Sequence, residues 1–322
     1  ITVNASHKNN AVIFKKYNSQ NKYEHPYGIE EKNWKKIKEM TFTDKHWFKL
    51  KEEYEKCYST GDWYASAGTS VNKNFFSKDK IIEHFNFINT KKIGVIFSHI
   101  FWDATFFWGK NFFEDYEDWL IQTIKEAQKN DNIQWIVKVH PSNITKMKKI
   151  NSPNFSELNS INKKIGKLPE HIKIMLPDTP INTYSLFQSI DYCITVRGTV
   201  GIEASSFGVT TITGGESRYS RKGFTSDSNN DRDYLEKLRK IEDLPPMTEQ
   251  QINLARKFAY SSFFKQPVQL NSIKFEYTTD YNANQITKIN HEHIKDFETA
   301  NDLNFISDWI ESEENDCINF NG

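Results

Sequence analysis

Residues 191–215, DYCITVRGTVGIEASSFGVTTITGG, decide the fold class of this chain of 322 residues. The apolar run at 191–196 predicts a buried strand, and residues 199–207 predict a helix that ends at Gly208. A second strand is predicted at 209–213, before two further glycines. A strand, a helix and a strand in this order form a βαβ unit, which places two parallel strands in one sheet.

The same alternation of strand and helix extends upstream to residue 92. Apolar runs predict strands at 93–98, 133–139 and 172–176, and amphipathic stretches predict helices at 114–129, 155–165 and 183–189. Helices of this length between strands indicate parallel pairing, with helices on both faces of the sheet. The sequence therefore predicts a doubly wound α/β domain over residues 91–270.

The flanking regions follow other patterns. The first 90 residues contain few strand-like runs, and helical spacing predicts one or two helices at 31–58 and a short one at 81–87. Residues 216–233 are interpreted as a polar loop, and further helices are predicted at 234–241, 248–264 and 284–312. We divide the chain into an N-terminal region (1–90), the α/β domain and a helical tail (271–322) that packs back across the cleft. Because the chain starts at Ile1, we expect it to be a piece of a longer protein.

Composition excludes several classes of function. The 42 basic and 42 acidic residues cancel, so no basic field favours nucleic acid or an anionic membrane surface. No apolar run approaches the roughly 18 residues that span a bilayer. Cys57, Cys193 and Cys317 lie too far apart in the sequence for a zinc motif, and a reducing cytoplasmic setting is expected.

Polar groups follow the predicted strands, where a doubly wound sheet binds its ligands. The turn Arg197-Gly198-Thr199-Val-Gly201 leads directly into a helix, whose free backbone amides and dipole favour a phosphate. Arg197 adds a bidentate cation and Thr199 a hydroxyl or an N-cap. The alternative is an ordinary strand–turn–helix connection.

Two other strand ends carry candidate side chains. Lys138-Val-His140-Pro141 holds an imidazole at the sheet edge, either for a phosphate or ribose or as a plain surface histidine. Asp103 lies among aromatic residues, as a base or nucleophile or as the cap of a turn. Glu203 is either a ribose ligand or a first-turn charge that complements the helix dipole. His99 is a weaker candidate than these three.

Three segments, SHIFWDATFFWG (98–109), WIVKVHPSN (135–143) and residues 191–215, resemble bacterial capsule polysaccharide biosynthesis proteins. These are GT-B glycosyltransferases, and the group includes Kdo transferases that use CMP-activated Kdo. The resemblance implies a GT-B-like fold: a Rossmann-like donor-binding domain (91–270) beside a smaller, largely helical or truncated acceptor-side domain. The His-Pro motif and the later Ser/Thr turn bind the CMP moiety in that group.

The resemblance also implies roles for individual residues. The implied donor-binding residues are His140, Pro141, Arg197, Gly198, Thr199 and Glu203, and we expect their neighbours Lys138, Ser142 and Gly201 to bind the donor with them. The implied catalytic residue is Asp103, and from its place at the same strand end we expect His99 to act beside it. The acceptor is expected against Asp62 and the loop residues Glu216, Ser217, Arg218, Tyr219 and Lys222, whose cations suit an acidic sugar unless the loop is merely solvated.

The expected reaction is the transfer of Kdo or a related acidic sugar from a CMP-activated donor to a glycan or glycolipid. No cofactor and no metal ion are expected, because the donor carries a single phosphate. The setting is expected to be cytoplasmic, with at most peripheral association with the inner face of the membrane. Alternatives are a UDP-sugar or CDP-polyol-phosphate transferase of the same fold, or a non-catalytic nucleotide- or glycan-binding module of a larger protein.

Overall fold

The computed structural model describes residues 1–8, 10–60, 73–103, 109–144, 155–277, 285–289 and 300–320. Its strands are β1 (Thr2–Ala5), β2 (Ala11–Lys15), β3 (Lys92–Phe97), β4 (Ile133–Lys138), β5 (Ile172–Met175), β6 (Tyr192–Thr195), β7 (Thr210–Thr213), β8 (Ser226–Asp227), β9 (Val268–Gln269), β10 (Ile273–Tyr277) and β11 (Gln285–Ile289). Its α-helices are α1 (Glu31–Glu39), α2 (Asp44–Thr60), α3 (Lys78–Phe85), α4 (Tyr116–Ala127), α5 (Ser156–Lys164), α6 (Thr183–Phe187), α7 (Val200–Ser206), α8 (Asp231–Arg239), α9 (Glu249–Tyr260) and α10 (Asn301–Glu311).

A six-stranded parallel sheet forms the centre of the molecule. Its strand order is β5-β4-β3-β6-β7-β8. From β3 the chain adds β4 and β5 toward one edge of the sheet, and it then adds β6, β7 and β8 on the other side of β3, toward the opposite edge. The direction of winding therefore reverses between β3 and β6. This confirms the doubly wound parallel sheet of the GT-B-like prediction. Gly208, with φ of +85°, ends α7 as the sequence predicted, since glycine adopts this conformation without steric cost.

Helices cover both faces of this sheet. Side chains alternate along β3, so Ile93 and Val95 enter one hydrophobic core and Ile96 enters the other. One core is closed by α4, α5 and α8, and the other by α6, α7 and α9 together with the N-terminal helices α1, α2 and α3. Trp34, Leu50 and other buried residues of the N-terminal helices thus share a core with the parallel sheet.

The structure corrects the predictions outside the α/β domain. β1 and β2 form an antiparallel hairpin that pairs with β9, in a region predicted to hold few strands. The helix predicted at 284–312 is wrong over β11, which pairs antiparallel with β10, and right over α10. The loop predicted at 216–233 contains β8, and α8 already begins at Asp231. Pairing with segments distant in the sequence determines whether these short stretches form strands, and a local sequence pattern does not reveal that pairing.

A buried ion pair joins the first strands to the C-terminal tail. The Lys15 ammonium donates to Asp316 Oδ1 at 2.7 Å and to the Gly28 carbonyl at 3.1 Å. Asp316 Oδ2 accepts from the Glu30 amide at 2.8 Å and from Asn33 Nδ2 at 3.0 Å. The pair therefore fixes the segment between β2 and α1. Among the described residues, no helix is long and apolar enough to cross a bilayer.

We expect Asp316→Ala to destabilise the fold by roughly 3 kcal/mol, because it removes the buried counter-charge of Lys15 and leaves only the more exposed Glu24, 3.0 Å from the ammonium, as a carboxylate partner among the described residues. Urea unfolding followed by circular dichroism measures the change. The matched control is Glu236→Ala, which removes an exposed partner of Lys240 and should leave the unfolding midpoint unchanged. Equal midpoints for Asp316→Ala and wild type would contradict the role of the buried pair.

Candidate functional site

A cavity of about 320 Å³ lies beyond the carboxyl ends of β3, β4 and β6, where the winding of the sheet reverses. We call it the strand-end cavity. The sheet side contributes Ser98, His99, Lys138, His140, Pro141 and Thr195. The turn before α7 and α7 itself contribute Gly198, Thr199 and Glu203, and the N-terminal region contributes Cys57, Tyr58 and Lys73.

The carboxyl group in this cavity is that of Glu203. Its side chain is fully buried, and its Oε2 accepts a hydrogen bond of 2.5 Å from the Tyr58 hydroxyl on α2. Oε1 has no hydrogen-bond partner among the described residues. Burial raises the pKa of Glu203 from 4.5 to about 7, against the opposing effects of the Tyr58 hydrogen bond and of the Arg218 and Lys138 cations. Glu203 is therefore partly protonated near neutral pH.

Two ammonium groups line the same cavity. Lys138 is only 6% exposed, and burial, reinforced by the charge of Lys73, lowers its pKa to about 7. Burial also lowers the pKa of Lys73. Neither ammonium lies within 4.0 Å of a carboxylate in the described part of the chain. Because burial disfavours the charged forms of both lysines, an anionic ligand that restores their protonation would bind favourably in this cavity.

The imidazole of His140 is held as a neutral hydrogen-bond donor. Its Nδ1 accepts from the Ser142 amide at 3.2 Å, so the ring proton lies on Nε2. Burial, with a smaller effect from Lys138, lowers the pKa of His140 to about 3, so the ring stays uncharged at neutral pH. The His140 amide donates to Ser98 Oγ at 3.0 Å, which ties the exit of β4 to that of β3.

His99 connects two strand ends. Its Nε2 accepts from the Val196 amide at 3.1 Å, and its ring stacks on Tyr116 with 4.4 Å between ring centroids. Burial lowers the pKa of His99 to about 3, which is consistent with an unprotonated Nε2. The Val196 amide thus occupies Nε2 of His99, and the ring positions the turn that follows β6.

The turn before α7 is supported from behind by Tyr219. The Tyr219 hydroxyl donates to the Gly198 carbonyl at 2.9 Å, and a Cβ at position 201 would lie 2.2 Å from that hydroxyl. Only glycine at 201 permits this approach. Thr199 occupies the N-cap position without a side-chain cap, and its hydroxyl instead accepts from Arg218 Nη2 at 3.0 Å.

Some predicted residues lie elsewhere. The Arg197 guanidinium donates to Asn111 Oδ1 and lies 6.0 Å from the centroid of the Tyr116 ring, and Arg197 is not among the residues that line the cavity. Ser142 and Gly201 also lie outside the lining. Asp103 is exposed and does not line the cavity. Its amide donates to the Ile100 carbonyl at 3.0 Å in a turn. Asp62 lies outside the described residues.

The predicted acceptor-binding residues lie at a second cavity, of about 400 Å³. It is lined by Glu216, Ser217, Arg218 and Lys222 on one side and by residues of the segment 20–31 on the other. Tyr219, in contrast, is fully buried beneath the turn before α7.

Sequence analysis missed Tyr58 and Lys73. No local pattern marks them, because they belong to a region whose docking on the sheet depends on the whole fold. Thr195 and Ser98 were also missed, although both follow the strand-end rule that found His140.

Carboxylates elsewhere do not form a metal centre in the described structure, which contains no cluster of three metal-ligating side chains. Asp231 and Asp233 have Asp-x-Asp spacing and lie in the first turn of α8. There Asp233 accepts from the Asn229 amide at 2.9 Å and lies 3.2 Å from the Lys237 ammonium. These contacts stabilise the helix start.

Comparison with known proteins identifies one family. The model of the capsule polysaccharide biosynthesis protein family matches residues 53–259, well over half of the chain, and this range includes every residue of the strand-end cavity named above. No curated protein sequence matches the chain.

Solved structures match at low identity. A structure of the β-Kdo 2,4 transferase KpsC of Thermosulfurimonas dismutans is 13% identical, with a TM-score of 0.44, and the match covers 88% of this chain and 76% of that one. The β-Kdo 2,7 transferase KpsC of the same organism is 16% identical, with a TM-score of 0.35, over 70% of this chain and 60% of that one. A putative UDP-N-acetylglucosamine 2-epimerase of Listeria monocytogenes is 13% identical, with a TM-score of 0.38, over 61% of this chain and 48% of that one.

The raised pKa of Glu203 predicts a pH-dependent stability. Between pH 4.5 and about 7 the unfolded chain releases this proton while the folded chain retains it, so the contribution of Glu203 to stability falls as pH rises. We expect the difference in unfolding free energy, wild type minus Glu203→Gln, to decrease by about 3 kcal/mol between pH 4.5 and 8. Urea unfolding at several pH values measures it. The control, Glu52→Gln on the exposed side of α2, should follow the wild-type profile, and a pH-independent difference for Glu203→Gln would contradict the prediction.

Proposed function

Because the chain belongs to the capsule polysaccharide biosynthesis protein family, we propose that it is a glycosyltransferase with a CMP-activated sugar as its donor. The proposed sugar is Kdo or a related acidic sugar, and the proposed acceptor is a glycan or glycolipid of a surface polysaccharide. The donor binds in the strand-end cavity. The reaction takes place at the cytoplasmic face of the membrane, with at most peripheral association.

The ammonium groups of Lys138 and Lys73 carry this proposal, since no carboxylate of the described residues lies within 4.0 Å of either. A donor such as CMP-Kdo bears two negative charges, one on the phosphodiester and one on the sugar carboxylate. The buried Lys138 and the half-buried Lys73, which have no carboxylate within 4.0 Å among the described residues, match two anionic groups in one ligand. During transfer CMP leaves with an additional negative charge, which the Lys138 ammonium would stabilise in a site of low dielectric.

The other groups of the cavity suit the nucleoside. His140 presents a neutral Nε2–H, which can donate to a phosphate or a ribose oxygen without a change of charge. The turn from Gly198 to Thr199 offers backbone amides at the start of α7. Glu203 can accept from a ribose hydroxyl. In this scheme Lys138 takes the place that Arg197 held in the sequence-based prediction.

The reacting centre needs a carboxylate, and we keep Asp103 as the proposed one. An exposed carboxylate at the exit of β3 can deprotonate an acceptor hydroxyl or attack the donor sugar as a nucleophile. Glu203 is already hydrogen-bonded to Tyr58 and enclosed, which suits ligand binding better than proton transfer to an incoming glycan. We propose a reaction without cofactor or bridging metal, because the donor holds a single phosphate.

Thermal-shift measurements with CMP, CDP, UMP, UDP, ADP and NAD test the donor. We expect CMP to stabilise the wild type, by about 2.7 kcal/mol at a hundredfold excess over its dissociation constant. Lys138→Met and His140→Ala should lose that stabilisation. Lys163→Met, which removes an exposed lysine on α5, is the matched control and should keep it. A larger thermal shift with UDP or CDP than with CMP would favour the UDP-sugar or CDP-polyol-phosphate alternative. No thermal shift with any of the six compounds would favour the non-catalytic module.

Turnover of CMP-Kdo with a glycan acceptor tests the catalytic carboxylate. We expect Asp103→Asn to lower kcat about 10²–10⁴-fold and to leave the CMP-induced thermal shift unchanged, since the residue lies outside the cavity lining. CMP release measured by a coupled assay gives the rate. Full activity in Asp103→Asn would refute the assigned role, and a wild type that binds CMP without turnover would favour the binding module.

A further inference from the structure

The second cavity is enclosed by two segments that are distant in sequence. One is the loop 216–222, and the other is the segment 20–31 between β2 and α1. The Lys222 ammonium donates to the Ile29 carbonyl at 2.9 Å and joins the two walls directly. The Lys15–Asp316 pair fixes the segment 20–31, because Lys15 donates to the Gly28 carbonyl and Asp316 accepts from the Glu30 amide. The cavity is thus a built feature of the fold rather than a gap between loose loops.

Both signs of charge line this cavity. The cations and carboxylates along it are Arg218, Arg221 and Lys222 and Glu24, Glu30, Glu31 and Glu216. Most are already compensated: Arg221 lies 2.8 Å from Glu216, Lys222 lies 3.5 Å from Glu31, and Glu24 lies 3.0 Å from the buried Lys15. An anionic ligand would meet carboxylates on both walls, and a cationic one would meet Arg218 and its neighbours. The lining favours an uncharged ligand with many hydrogen-bonding groups.

An aromatic ring completes this chemistry. The Tyr23 side chain lines the cavity and is 74% exposed. The Lys22 ammonium lies over the Tyr23 ring, 4.9 Å from its centroid, and the opposite face of the ring can pack on the C–H groups of a sugar, while the carboxylates and the guanidinium of the lining bond to its hydroxyls. A ligand that is apolar on one face and rich in hydroxyls at its edge is a carbohydrate.

Arg218 connects the second cavity to the strand-end cavity. Arg218 lines the second cavity, and its Nη2 donates to the hydroxyl of Thr199, which lines the strand-end cavity. Arg218 Nε has no hydrogen-bond partner among the described residues, and burial lowers the pKa of the side chain. A sugar in the second cavity would therefore lie next to the ligand in the strand-end cavity.

We propose that the second cavity is a carbohydrate subsite that binds an uncharged sugar residue of the acceptor glycan. Its main determinants are the Tyr23 ring and the carboxylate of Glu31, with Arg218 between acceptor and donor. The description of this sugar as the acceptor rests on the proposed function. The binding of an uncharged sugar by this cavity does not.

Ligand-observed NMR titration of the whole chain tests the subsite. The probes are the neutral methyl β-glycosides of glucose, galactose and N-acetylglucosamine, and the acidic methyl glycosides of glucuronic acid and Kdo. We expect at least one neutral glycoside to bind more tightly than both acidic ones. Tyr23→Ala and Glu31→Gln should each weaken that binding about tenfold. Phe48→Ala, which removes an exposed ring from α2, is the control and should change the affinity less than twofold.

The same samples separate this inference from the proposed function. Tyr23→Ala should retain the wild-type melting temperature, because the removed ring is exposed, and it should retain the CMP-induced shift. Tighter binding of an acidic glycoside, no binding of any glycoside, or unchanged affinity in Tyr23→Ala would each overturn the subsite. Sugar binding without a CMP shift would leave the subsite standing and refute the CMP-dependent donor.

Discussion

The two apolar faces of the parallel sheet impose the main constraint on this molecule. Strands that are buried on both sides need helices on both sides, and the helices that connect the strands cover only part of one face. Helices α1, α2 and α3 supply the missing cover. Their docking brings Tyr58 over Glu203 and closes the wall of the strand-end cavity. The same helices therefore bury the sheet and complete the site.

The electrostatic character of the site follows from that closure. Burial favours the uncharged forms of Glu203, His99 and His140, and it lowers the pKa of Lys138. The cavity then contains neutral hydrogen-bond donors, a partly protonated carboxyl group and two lysines whose charged forms have no carboxylate within 4.0 Å among the described residues. Such a site favours an anionic ligand, because a bound negative charge stabilises the protonated form of Lys138, which burial disfavours.

Much of the α/β domain could be predicted from the sequence, because each strand and helix there shows its own periodicity. The strand-end rule also found His140, Gly198, Thr199 and Glu203, which line one cavity. Arg197, which the same rule selected, lies outside the lining, because the direction of a long side chain depends on its neighbours: its guanidinium donates to Asn111 and lies 6.0 Å from the centroid of the Tyr116 ring. The strand β11 was missed for a related reason, since its hydrogen-bond partner β10 decides its conformation.

Within residues 92–213, the sequence by itself determined the order of strands and helices, the parallel sheet and the polar strand ends, since these depend on local periodicity and on short turns. Only the tertiary structure decided which side chains meet. It brought Tyr58 and Lys73 to the strand ends, placed Asp103 in an exposed turn and joined the segment 20–31 to the loop 216–222. The physical reason is that these contacts join residues far apart in the chain, and packing of the whole core, rather than any local preference, determines their distances.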